Sequence, residues 1–130
     1  MAYVTVINEH QHVQQIVSGH HHLTADEAVA AGGSSAGFAA QELLLASLGA
    51  DTAVALRKHA MQNEWTLGKI TVGLRWSRDA EGHEHIERRM SVSRPLTPAQ
   101  REQLLKVADN SPVTCLLRAS IVIQSGFMDS

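Results

Sequence analysis

One cysteine, Cys115, among 130 residues excludes a disulfide within the chain. Aromatic residues make up only 4% of the sequence and the net charge is -2. Neither the stacking rings nor the basic surface of a nucleic-acid binder is present, so no nucleic-acid partner is expected. Nothing approaches the ~20 consecutive apolar residues that a membrane-crossing helix needs. The start, Met1-Ala-Tyr-Val-Thr-Val-Ile-Asn-Glu-His10, has no basic stretch leading into a long apolar one. These absences set the expectation of a cytoplasmic protein with no membrane partner. Basic side chains are also unevenly spread. No Lys or Arg precedes Arg57, whereas Glu9, Asp26, Glu27, Glu42 and Asp51 all do.

What remains is 44% hydrophobic, enough for a real core in a chain of one-domain size, and residues 1–130 are expected to form one domain. No internal repeat or low-complexity linker divides them. Residues 3–7 and 13–17 read as short strands joined by a polar turn, and residues 20–24 as a third. Residues 26–38, with Gly32-Gly33-Ser34-Ser35-Ala36-Gly37, read as a loop. A long helix is expected over residues 40–62. Ile70, Val72, Leu74 and Trp76 then alternate with smaller or polar residues, the period of a half-buried strand, and residues 86–92 supply a hairpin partner. Thr97, Pro98 and Gln100 form a capping-box start for a helix to about Ala108. Ser111-Pro112 opens a short helix, and residues 120–124 read as a closing strand. That order describes an α+β domain.

The long helix carries one conspicuous exception to its composition: Asp51 stands in Glu42-Leu-Leu-Leu-Ala-Ser-Leu-Gly-Ala-Asp-Thr-Ala-Val-Ala-Leu56. A helix apolar on all sides is normally buried. An isolated buried carboxylate is costly, so Asp51 must be partnered, protonated or exposed in a cleft.

Several runs, taken in order along the chain, resemble one family. These are Gly19-His-His-His-Leu-Thr-Ala-Asp-Glu27, Gly32-Gly33, Gly37, Glu42 through Ala50, the segment 96–105 and Ser111-Pro-Val113. Together they resemble the OsmC/Ohr family of thiol-dependent hydroperoxide reductases. The resemblance implies an OsmC-like α+β fold, a long central helix packed on antiparallel strands, in an intertwined homodimer. It also implies a reactive cysteine in the long helix and a second, in a Cys-Pro-Val motif, that forms a disulfide with it. Here those positions hold Asp51 and Ser111. A carboxylate cannot become a sulfenic acid and a serine cannot resolve one, so the two-cysteine peroxide cycle lacks both sulfurs. The arginine that the family brings from its N-terminal strands has no counterpart before Arg57, and the glutamate that orients it falls at Gln41, with Glu42 one residue on.

Other positions complete the candidate set. Ser111, as the cap of a short helix, and the amides behind it are possible partners of Asp51, and Arg88 is another because it shares a strand face with Ile86, Met90 and Val92. Cys115 lies about one helical turn beyond Ser111 and reads as an inert, buried small hydrophobe. Phe38 stands where the resemblance implies a proline at the pocket opening, and His59 lies two helical turns past Asp51. His20, His21 and His22 place at most two imidazoles on one strand face, fewer than a catalytic zinc site takes, so no metal and no cofactor is expected. Three readings stay open: a cysteine-deficient homodimer that binds a small molecule or a partner, a one-cysteine peroxidase using Cys115, and non-redox acid–base chemistry at Asp51.

Overall fold

The computed structural model describes residues 2–128. The chain divides into two compact units, with the boundary between Ala46 and Ser47.

In the first unit three strands form an antiparallel sheet in the order β1-β2-β3, with β1 at Thr5–His10, β2 at Val13–Ser18 and β3 at His21–Ala25. The first hairpin turns through Gln11, whose φ of 49° is left-handed, and Asn8 Nδ2 donates to the carbonyls of Gln11 and Val13 at 2.9 and 3.1 Å. A side chain thus closes a turn for which the sequence supplies no glycine. The second hairpin uses Gly19 at φ 60°. Residues 26–38 form the expected loop, interrupted by one 3₁₀ turn at Val29–Ala31. Its centre is Asp26, which is 3% exposed. Oδ2 of Asp26 accepts from the Ser34 amide and hydroxyl at 3.0 and 2.7 Å and from the Ala36 amide at 3.0 Å, while Oδ1 accepts from the Glu27 amide at 2.7 Å. Glycine is required where this loop closes on itself, since a Cβ on Gly33 would collide with the Glu27 carbonyl and one on Gly37 with the Thr24 carbonyl. Within this unit only Ala25 and Asp26 are buried among the described residues.

Helix α1 spans Ala40–Gln62 and crosses the unit boundary. Its first turn is closed by Glu42, whose Oε1 accepts from the Ala39 amide at 2.8 Å. It stops where Glu64 adopts a left-handed φ of 57° and the Trp65 amide returns to the Ala60 carbonyl at 2.8 Å. In the second unit the hairpin pairs β4, Ile70–Arg78, with β5, Glu84–Val92, in the register Val72↔Met90 and Leu74↔Arg88. Helix α2, Pro98–Asp109, begins in the expected capping box, with Gln100 N to Thr97 Oγ1 at 3.1 Å and Thr97 N to Gln100 Oε1 at 3.0 Å. Helix α3, Pro112–Arg118, follows at once. The core of this unit is Leu56, Ala60, Leu67, Leu104 and Ala108, packed against Trp65, Ile70, Met90, Val92, Leu96 and Val107. The second part of the long helix therefore rests on the antiparallel hairpin, the α+β arrangement expected from the sequence.

Two expectations fail. Residues 120–124 form no strand: they have no ladder partner among the described residues, and Val122 and Ile123 are each 85% exposed. A β-branched run is a strand only where another strand pairs with it. Helix α1, apolar on nearly every side, is buried along one stripe only, Leu48, Thr52, Leu56 and Ala60, spaced by four residues. Val54 and Met61 remain 52% and 71% exposed.

Candidate functional site

Asp51 is half-buried in the fourth turn of α1. Its Oδ2 accepts from the Val113 amide at 2.9 Å. Val113 is the second residue of α3, so the carboxylate meets a free N–H at the positive end of a helix and does what a capping side chain normally does. Ser111 occupies the cap position of α3, but its hydroxyl makes no capping bond. It contacts the Ala108 carbonyl at 3.0 Å and Thr114 Oγ1 at 2.8 Å. The expected role of Ser111 as cap has thus passed to a side chain 62 positions before Val113.

Beside Asp51, a polar network occupies the interior. Thr52, with no exposed surface, donates to the Leu48 carbonyl at 2.7 Å, the usual route for a threonine inside a helix. Arg88, whose side chain is 12% exposed, donates through Nη1 to Thr52 Oγ1 at 3.1 Å and to Thr114 Oγ1 at 2.8 Å, and through Nη2 to Asp109 Oδ1 at 3.2 Å. Thr114 Oγ1 also reaches the Ala108 carbonyl at 3.1 Å. Ser111 and Thr114 carry one hydroxyl proton each, so two of their three hydroxyl contacts are made at a time, and Arg88 adds a separate N–H donor to Thr114 Oγ1. No buried side-chain polar atom among the described residues is left without a partner.

Arg88 therefore points inward, as its strand parity predicts, yet its ion pair is with Asp109 and not with Asp51. Cys115 is exposed, contrary to the expectation of a buried hydrophobe. It occupies the outer side of a seven-residue helix whose one buried residue is Thr114. His59 Nε2 lies 2.8 Å from Gln103 Nε2, and its ring meets Trp65 edge-on at 5.3 Å, so it closes the end of α1 against α2. In the first unit Gln41 is exposed and Glu42 caps α1. Phe38 is 51% exposed, and its carbonyl accepts from the Asp26 amide at 3.0 Å. His21 and His22 are exposed on β3, and among the described residues no three His, Cys, Asp or Glu side chains are placed to hold a metal ion. No described helix is long and apolar enough to cross a membrane.

Sequence reasoning missed Thr52, Thr114 and Asp109. The signal available was weak: two threonines, each adjacent to or one turn from a position already singled out.

Replacing Asp51 with Asn keeps an acceptor for the Val113 amide but removes the charge at the helix end. Asp51→Asn is expected to lower unfolding free energy by about 1 kcal/mol or less, read by urea denaturation. A loss above about 3 kcal/mol would show that the carboxylate holds more than this one amide.

Residues 32–126 match the family model described as OsmC-like protein. The chain belongs to the OsmC-like family. Solved structures agree at the level of fold. An osmotic stress induced and detoxification response protein from Psychrobacter arcticus superposes with a TM-score of 0.79 at 15% identity, over 89% of this chain and 88% of that one. An OsmC-like protein from Mycoplasma pneumoniae gives 0.77 at 17% identity, covering 91% and 87%. The organic hydroperoxide resistance protein OhrB of Bacillus subtilis gives 0.62 at 21% identity, covering 91% and 90%. No curated protein matches the sequence. These superpositions cover about nine-tenths of this chain.

Proposed function

We propose that this OsmC-like protein is a homodimer whose two-cysteine peroxide site has been replaced by hydrogen-bonded oxygens, and that it serves as a small-ligand-binding or interaction scaffold of the peroxide and stress-response lineage. The observation that carries this reading is the 2.9 Å bond from Val113 N to Asp51 Oδ2. It joins the two segments where the resemblance implies thiols, and both positions hold oxygen ligands already engaged with protein groups. Asp51 is then a structural anion that fastens α3 to α1. The dimer is supported by uncovered apolar surface: a sheet with almost nothing buried, a long helix covered along one stripe, and the exposed run Ile121, Val122 and Ile123. A three-stranded sheet of this kind needs another layer to be stable, and sedimentation of the intact chain reads the dimer directly.

The exposure of Cys115 favours one second reading, a one-cysteine peroxidase. Cumene hydroperoxide consumption with dithiothreitol separates the two. The expected result is a rate equal to buffer for both wild type and Cys115→Ser. Turnover by wild type that disappears in Cys115→Ser would replace the scaffold reading with the peroxidase.

A further inference from the structure

A pocket of about 540 Å³ opens in the second unit between β5, the segment after it and α2. The volume is that of a small-molecule site. Leu56, Met90, Leu96 and Leu105 give its lining an apolar part, and two arginines, Arg94 and Arg101, line it as well.

The two arginines differ from the others lining this pocket. Arg88 is committed to Asp109 and the threonines, and Arg89 to Glu87. Arg94 and Arg101 make no ion pair and no side-chain hydrogen bond among the described residues. Arg101 also lies four residues into α2, beside the positive end of the helix, in a first turn that contains no acidic residue. A cation there is unfavourable unless an anion accompanies it. Glu102, next in sequence, faces Lys106 instead. In a chain with a net charge of -2, two guanidiniums with no partner among the described residues therefore border one apolar cavity.

We infer that this pocket binds an amphipathic anion, a carboxylate or phosphate ester head held by Arg94 and Arg101 with its hydrocarbon tail lying on Leu56, Met90, Leu96 and Leu105. Arginine suits such a head because its planar fork donates to two oxygens of a carboxylate or phosphate. This rests on the ligand-binding part of the reading above and gives it a place and a chemistry, but it does not involve Asp51 or Cys115. Peroxide turnover would overturn the scaffold reading and leave the pocket intact.

The test is calorimetric titration of the full chain with octanoate, octyl phosphate, 1-octanol and propionate. Tighter binding of either octyl anion than of octanol supports the site and identifies its head group, and propionate is expected to bind weakest because it has little tail to bury. Arg94→Ala and Arg101→Ala should each weaken the octyl anion about 10-fold and leave octanol unchanged, the loss of one charge-assisted contact. Leu105→Trp, at a position 50% exposed and so tolerant of change, should block the cavity and weaken both. Absence of saturable octanoate and octyl phosphate binding to wild type would overturn the proposal, as would anion binding indifferent to both arginines. A shift of oligomeric state with unaltered anion affinity in these variants would overturn it too, by assigning the pocket to the subunit interface.

Discussion

Asp26→Ala is expected to melt on the order of 10 °C below wild type, the largest effect of any single polar substitution in the first unit. One carboxylate there accepts from three backbone amides and one hydroxyl, and it is almost fully enclosed. Alanine leaves those amides facing an apolar methyl in place of the carboxylate that accepted from them. The same bonds hold the Asp26 carboxyl down to about 2 from its ordinary 3.8, with the Ala36 amide contributing most and the Ser34 hydroxyl next. A carboxyl lowered by folding contributes stability that is fully present above its unfolded value. That stability is lost as pH falls through the folded one. Wild type should therefore lose stability between about pH 4 and pH 2, and Asp26→Ala should lack that part of the acid sensitivity. A thermal-melt series across this range reads both, and an identical acid slope in the two proteins would refute the role given to Asp26.

The second large effect is expected at Arg88. Arg88→Ala should lower unfolding free energy by about 2–3 kcal/mol, from the space left by a side chain 12% exposed and from the hydrogen bonds removed. It should not reach the 3–5 kcal/mol typical of a stranded buried charge. Asp109 is 58% exposed and keeps Arg118 at 3.4 Å, while Thr52 and Thr114 keep the Leu48 and Ala108 carbonyls. Arg88→Met restores most of the volume but none of the donors, so the gap between the two variants measures packing apart from hydrogen bonding. Urea unfolding at fixed protein concentration is the measurement, since the proposed dimer would make stability depend on concentration. Faster hydrogen exchange at the Val113 amide in Arg88→Ala would show that the network also holds α3 against Asp51. Stability equal to wild type would mean that the network contributes nothing.

Most of the architecture could be read from the chain because it is written in local chemistry. The capping box at Thr97 and Gln100, the alternation from Ile70 to Trp76 and the glycines of the loop each act within a few residues, and all are found where the sequence places them. Residues 120–124 were misread for the complementary reason: their β-branched pattern is local, but a strand also needs a neighbour. Asp26 was visible as part of an Asp-Glu pair, though nothing in the sequence ranks it above Glu27.

The sequence by itself identified the family, and residue identity at positions 51 and 111 rules out thiol chemistry at those two places. It also marked Asp51 as a charge that had to find a partner. Only the tertiary structure decided which partner: not Ser111 and not Arg88, but the Val113 amide. It likewise turned Arg88 toward Asp109 and two threonines, and placed Cys115 on the surface. Those outcomes join segments 21 to 62 positions apart. They depend on how α1, β5 and α3 pack, and on a hydrogen-bond geometry that no short stretch of sequence specifies.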